Sequence, residues 1–501
     1  MKHAKKFLSL ALVGTMLTAC SSLTAFAQDD TRINQPQTQM GQQISTTTIC
    51  GSYTITIPAS IDLSNTATTE TAITAEDVAL LPDWEISVYL SGASNTTNGQ
   101  VFHAKNADKT STAIYTITDG RDHYSVGDKI ATFTENSSQP LVFSQAAGAT
   151  KTGMHSEVLT FTIEAKDTVL VDALDLSTIP AGQSVVTIDK DTTVTGSLAS
   201  NKHILVNNSA TLTMKNVDIQ VASGLEQPAI EFTSDGRLAS YGYNVLQGGK
   251  NSAAIKANAF LEIVGNGTLD VTGSENAPGI AVYYHLGIID GKIIAHGGTN
   301  AAGIGGGKDF NSGNIDIAGG DITAVGGEYG AGIGAAGEAL CSAISISGGK
   351  VRAYGGKEAA GIGNASGNGD LIRILDADVY AVGGERGASI GTGSRGHCSG
   401  ITIDSGTVTA IGGERGAGIG TGSRGLCNGI TIYSGTVTAI GGEYAAGIGT
   451  GLPGTITGNI FISADITSVT ATKGEYATES IKTGTSGGEV RIEDPTKVTQ
   501  N

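Results

Sequence analysis

Several residues that could do chemistry return in this chain at a fixed interval. Glu385, Glu414 and Glu443 are 29 residues apart, as are Cys398 and Cys427. The motif "GTGSRG" occurs at Gly391–Gly396 and again at Gly420–Gly425. It fits G-x-G-x-x-G, whose amides cradle a pyrophosphate where a strand opens into a helix. Lys350, Arg352, Tyr354, Arg373, Asp378 and Tyr380 form a second set, mixing rings with charges. Rings supply stacking area and charges supply direction, the combination a sugar chain needs. Asp316 with Asp321, and Asp376 with Asp378, are the densest acids in the same region. Glycoside hydrolysis works through such carboxylate pairs.

What these residues can do depends on the elements that carry them. Gly-Gly pairs begin at Gly297, Gly326, Gly355, Gly383, Gly412 and Gly441, at intervals of 29, 29, 28, 29 and 29 residues. A fixed period in this range signals a repeat architecture. One unit, "GITIDSGTVTAIGGERGAGIGTGSRGLCN", holds three short apolar pieces, each too short for a helix and each ending in glycine. Three strands per turn predict a right-handed parallel β-solenoid whose coils stack at the ordinary strand spacing of ~4.8 Å. Ile293, Ile322, Val351, Val379, Val408 and Val437 then form one inward column. Ala295, Ala324, Ala353, Ala381, Ala410 and Ala439, two residues on, form another. Upstream of 297 the same pattern recurs in shorter coils, and near the C-terminus a polar stretch reads as a cap over the last coil.

The period reassigns several of the chemical candidates. "GTGSRG" lies between two strands of a coil, so its glycines serve a corner and close coil-to-coil approach, not a phosphate. Cys341 lies two periods before Cys398, which puts three sulfurs in one column and makes Cys398 and Cys427 a disulfide candidate. Buried free thiols fit the same column. Stacked glutamates repel unless something sits between them. Calcium, which takes about six to eight oxygens, could bridge Glu385, Glu414 and Glu443. Arg386 and Arg415 beside two of them neutralise the ladder without a metal. One outward column reads Lys292, Asp321, Lys350, Asp378, Thr407 and Thr436. The next reads Ile294, Thr323, Arg352, Tyr380, Thr409 and Thr438, with Tyr354 nearby and Arg373 on the adjoining strand. That is the candidate ligand-binding strip. A solvated mixed surface is its plainer reading.

The remainder of the chain supports these elements. Residues 28–46 are polar and aperiodic, a linker. Residues 47–166 alternate apolar and polar in short runs such as "YTITIP" and "VLTFTIEA" between turn residues, the pattern of an antiparallel β-sandwich. Trp84 there reads as core. Lys2, Lys5 and Lys6 precede an apolar run that ends at "AFA", the layout of a secretory signal peptide over residues 1–27. "LTAC" at Leu17–Cys20 offers a lipoprotein alternative with Cys20 as the lipid-bearing residue. No later run of about 20 apolar residues could span a bilayer. With 73 glycines, 30 basic and 47 acidic residues and a formal charge of −17, the chain is unsuited to nucleic acid, which needs a basic footprint.

Residues from about 185 to 320 resemble the β-helical carbohydrate-binding domain of secreted clostridial cellulose- and pectin-associated proteins. The likeness rests on "TLTMKNVDIQVASGLEQPAI", "YNVLQGGKNSAAI", "LEIVGNGTLDVTGSENAPGI" and "GIIDGKIIAHGG". The later GGxxxAGIG coils are similar to repeats on surface proteins of gut Gram-positive bacteria, and the sandwich loosely resembles spacer modules of such proteins. The resemblance implies a β-helix like that of polysaccharide lyases, binding of cellulose or acidic sugars, and calcium. The family's acidic "GDAIKA"-like turns are "GAGIG" and "GASIG" here, a departure at its cation sites.

The expectation is therefore an all-β chain: signal peptide 1–27, linker 28–46, β-sandwich 47–166, and a parallel β-helix over 167–501 with a C-terminal cap. Its expected role is binding of a polysaccharide or cell-wall glycan, or adhesion, in a secreted or surface-attached protein. A β-helical lyase or hydrolase of acidic glycans is the alternative, and a structural surface rod the third. The polygalacturonase pattern of Asn-Thr-Asp, Asp-Asp, Gly-His-Gly and Arg-Ile-Lys is absent, so no catalytic residue is assigned.

Overall fold

A computed structural model describes residues 8–16, 23–26, 42–48, 51–58, 60–80, 84–95, 97–169, 173–308, 310–484 and 488–501. The expected cleavage point after Ala27 and the lipoprotein candidate Cys20 lie outside the described residues. The chain divides into two compact units, Met1–Val171 and Asp172–Asn501.

The first unit is a β-sandwich of two sheets, antiparallel except where Leu8–Met16 runs parallel to His155–Asp167. In one, His155–Asp167 pairs with Trp84–Ala93, which pairs with Lys129–Phe133. In the other, Gly51–Ile57, Thr69–Leu80 and Ser137–Phe143 lie side by side. Gln42–Thr48 pairs with Gly51–Ile57, so extended pairing begins inside the segment read as linker. Alternation decides what is buried: Tyr53, Ile55 and Ile57 face inward, as do Leu159, Phe161 and Ile163. Three rings, Phe102, Tyr115 and Phe143, form the centre, with centroids 5.6 and 6.1 Å apart. Trp84 is half-buried against this core. The Tyr115 hydroxyl donates to the buried Glu157 carboxylate at 2.7 Å.

The second unit is a parallel β-solenoid. Each complete coil gives one strand to each of three ladders, for example Ile344–Ile346, Lys350–Tyr354 and Ile362–Gly363. The expected columns are present in register. Ile293, Ile322, Val351, Val379, Val408 and Val437 lie opposite one another, and the alanine column runs beside them. All are buried. A further inward column, Ile304, Ile333, Ile362, Ile390, Ile419 and Ile448, runs along the third ladder. Burying one such side chain stabilises the fold by about 1.5–3 kcal/mol, and each coil covers only its neighbours, so the columns must be continuous.

The stretch read as a C-terminal cap carries the last rungs of the ladders. Val437 lies opposite Val469, Ile448 opposite Ile481 and Ile432 opposite Ile462. Its inward apolar residues keep the rungs while its longer polar connections break the period. Coils are shorter upstream, where Ile280 lies opposite Ile304. The ladders end on Val490–Ile492 and Val498–Gln500. Such short terminal strands leave little free edge for another chain to pair with.

Candidate functional site

The second ladder displays its outward residues on a continuous sheet face. Lys350 lies opposite Asp378, and Arg352 opposite Tyr380. Tyr354 is on the same strand as Arg352, and its ring centroid is 6.3 Å from that of Tyr380, tilted by 56°. The structure thus brings five of the six strip candidates onto two adjacent strands. Lys350 and Asp378 face each other without closing an ion pair. Arg352 Nη1 instead donates to Asp321 Oδ1 at 2.5 Å. Arg373 stands apart on the first ladder, where Nε and Nη2 donate to Asp404 at 2.7 and 3.3 Å.

Side-chain pairings also occupy two of the four carboxylates singled out for hydrolysis. Asp321 is held by Arg352, and Asp316 lies 2.7 Å from His285 Nε2. Asp376 and Asp378 are exposed on the surface. Along this face rings and charged groups therefore alternate on adjacent strands.

Each glutamate of the periodic column has a neighbour that moderates its charge. Lys357 Nζ and Arg386 Nε lie 3.7 and 3.8 Å from Glu385, and Arg415 Nε is 3.5 Å from Glu414. Glu443 accepts from the Tyr444 hydroxyl, and that hydrogen bond, with the carboxylate's charge, raises the Tyr444 pKa. Among the described residues no group of three or more His, Cys, Asp and Glu is placed to hold a metal.

Cys398 and Cys427 lie opposite each other on adjacent coils, bonded, with Cα atoms 4.7 Å apart. Cys341 shares their column but faces Gly369 on the intervening coil. It is a free, buried thiol, and burial pushes its pKa up to about 12, so it is inert.

The repeated "GTGSRG" connects Ile390–Gly391 to His397–Ile403, strand to strand. Gly391 has φ +132°, and a Cβ there would collide with the carbonyl oxygen of Gly420 one coil on. The motif's first glycine is required by backbone sterics, and no helix follows to aim amides at a phosphate.

A recess of about 190 Å³ on the third ladder is a feature that sequence reasoning missed. Its floor is Ala253, Ala277 and Ala281, and its rim carries Glu231, Asn251 and Lys256. Phe310 reaches over from a connection and stacks on Tyr283 at 4.7 Å. Lys256 Nζ sits 5.8 Å from the Tyr283 centroid and 2.9 Å from Glu231. Burial alone would raise the Glu231 pKa, but hydrogen bonds from Lys256 and Asn258 carry it below the ordinary value. The signal for this recess is the break in pattern at "GGGKDFNSG", where an aromatic enters an otherwise glycine-rich corner.

A beta helix repeat family model matches residues 344–367, 401–423 and 430–452. Those segments lie within the in-register coils described above. The second unit, Asp172–Asn501, is a β-helical repeat unit. No curated protein and no solved structure matches it. Among the described residues no helix is long and apolar enough to cross a membrane.

Proposed function

We propose that this β-helical repeat protein is exported and binds polysaccharide on its flat second ladder, without catalysis. The observation that carries this reading is the Tyr354–Tyr380 pair flanked by the unpaired Lys350 and Asp378 on one continuous sheet face. A pyranose lays its C–H face on a ring while charges at its edge take hydroxyls. A ladder repeated every ~4.8 Å presents such contacts along a chain, so modest contacts accumulate. The recess beside Tyr283 and Phe310 is of a size for one sugar ring and would serve the same polymer. The N-terminal layout of lysines followed by an apolar run supports export, and the resemblance of residues 185–320 supports a glycan partner.

The test is retention on cellulose, pectin and cell-wall glycan, with and without EDTA, run beside reducing-sugar and unsaturated-product assays. Retention without product is expected, and Tyr354→Ala with Tyr380→Ala should weaken it about tenfold. Loss on EDTA would assign calcium to the interface. Product formation would overturn the non-catalytic reading in favour of a lyase or hydrolase. Absence of retention on every glycan would overturn it in favour of a structural rod.

A further inference from the structure

We infer that Arg395 and Arg424 form a two-arginine clamp for oxyanions carried along an acidic polysaccharide. Eight arginines lie in the solenoid unit, and six have a carboxylate partner. Those six are Arg237, Arg352, Arg373, Arg386, Arg415 and Arg491. Arg395 and Arg424 are exposed and have no side-chain partner among the described residues. In a chain of charge −17, two unpaired arginines at one repeat position need a physical reason.

The geometry makes them neighbours. His397 lies opposite Leu426 and Cys398 opposite Cys427, which puts Arg395 opposite Arg424 one coil apart. The Arg395 amide donates to the Ser423 carbonyl of the next coil at 2.8 Å. The same position is Ser366 in the coil before and Pro453 in the coil after, so neither adjoining coil offers a carboxylate there, and Glu338 holds the position only two coils before Arg395. Like charges directly opposite on paired strands destabilise each other. The Cys398–Cys427 bond, three residues along from each arginine, holds the two coils together despite that repulsion. Both arginines have positive φ, 64° and 59°, the left-handed region that bulky residues seldom enter. Arginine is kept there twice, on turns where asparagine or glycine would be less strained.

A guanidinium fork pairs bidentately with a carboxylate or a sulfate ester. An anion between the two forks removes the repulsion and uses all the exposed donors. Two charges one coil apart match a polymer with one anionic group per sugar ring. They do not make the broad basic footprint that nucleic acid demands. The clamp rests on the polysaccharide reading for its class of ligand but occupies a different corner from the Tyr354–Tyr380 face.

The experiment is affinity electrophoresis of the intact protein in EDTA, through gels containing polygalacturonate, dextran sulfate, neutral dextran or duplex DNA. Retardation by polygalacturonate, dextran sulfate or both is expected, and the two gels tell carboxylate from sulfate recognition. The variant R395N/R424N should lose at least about tenfold in that affinity, because asparagine tolerates the left-handed turn but offers no fork. Its melting temperature without ligand should equal or exceed that of the parent, since the repulsion is gone. Cys398→Ser with Cys427→Ser should weaken retardation by releasing the register of the two turns. Unchanged retardation of R395N/R424N, absence of retardation by either acidic polymer, or equal retardation by DNA would each overturn the clamp. Failure of the Tyr354–Tyr380 reading appears separately, as loss of retention on neutral glycans that R395N/R424N leaves untouched.

Discussion

The sandwich fills its interior with rings and one buried carboxyl group, whereas the solenoid fills its own with repeated aliphatic rungs and glycine corners. Phe102, Tyr115 and Phe143 meet once, in a centre that no other part of the chain repeats. Val351, Val379 and Val408 belong to a column whose every rung has the same neighbours above and below. The difference teaches where each unit is vulnerable. A unique centre is sensitive to polarity and packing at a few residues. A stacked column is sensitive to anything that forces two coils apart.

The sharpest way to break the comparison is a side chain at a corner. Gly391→Val has to adopt φ +132° and push aside Gly420 of the next coil. It should cost more than about 4 kcal/mol in denaturant unfolding of the solenoid. Gly99→Ala in the sandwich, with φ +59° and open space around it, should cost about 1 kcal/mol. Equal costs would show that coil spacing is not the controlling constraint.

Cutting the sulfur link comes next. Cys398→Ala with Cys427→Ala removes a bond that closes a loop of 29 residues, and should lower solenoid stability by about 3–4 kcal/mol. Added reductant should reproduce that loss in the parent chain and change nothing in the variant or in the sandwich.

Acidity separates the units in the opposite sense. Burial raises the Glu157 pKa from 4.5 to about 7, against the hydrogen bond from Tyr115 that favours the charged form. The folded carboxyl therefore binds its proton more tightly than the unfolded one. Its stabilising contribution is complete below pH 4.5 and is lost as pH rises through about 7. Sandwich stability should fall by about 2 kcal/mol between pH 5 and pH 8, read from urea midpoints. Glu157→Gln should flatten that slope, while solenoid stability should lack it.

The smallest expected effect is at the surface. Arg373→Ala breaks the exposed ion pair with Asp404 and should leave the denaturant midpoint of solenoid unfolding almost where it was. A larger loss would mean that the ladder faces, and not only their columns, hold coils together.

Much of this architecture is legible in the sequence because repetition makes burial visible. Ile293, Ile322 and Val351 recur at one interval, and only stacked rungs explain the recurrence. The sandwich strands are legible for the simpler reason that Tyr53, Ile55 and Ile57 alternate with polar residues. The outward positions of Lys350, Arg352, Asp378 and Tyr380 follow from the same register. Their pairings do not, because register fixes backbone neighbours while rotamers choose partners. Arg352 takes Asp321 on the preceding coil, and Arg373 takes Asp404 on the following one. The Tyr283–Phe310 recess is hidden for another reason: a connection folding over a ladder leaves no periodic trace. The continuation of rungs through Val469 and Ala471 is masked by polar connections that disguise the repeat.

The unequal coils carry one more consequence. Ile280 reaches its partner Ile304 by a shorter path than Ile448 takes to Ile481, yet both pairs seat identically in the third ladder. Contour length is thus decoupled from rise: extra residues bulge sideways at a corner and leave the rod's pitch unaltered. Foreign peptides spliced into those elbows would be displayed at fixed heights along the shaft, as on a graduated pole.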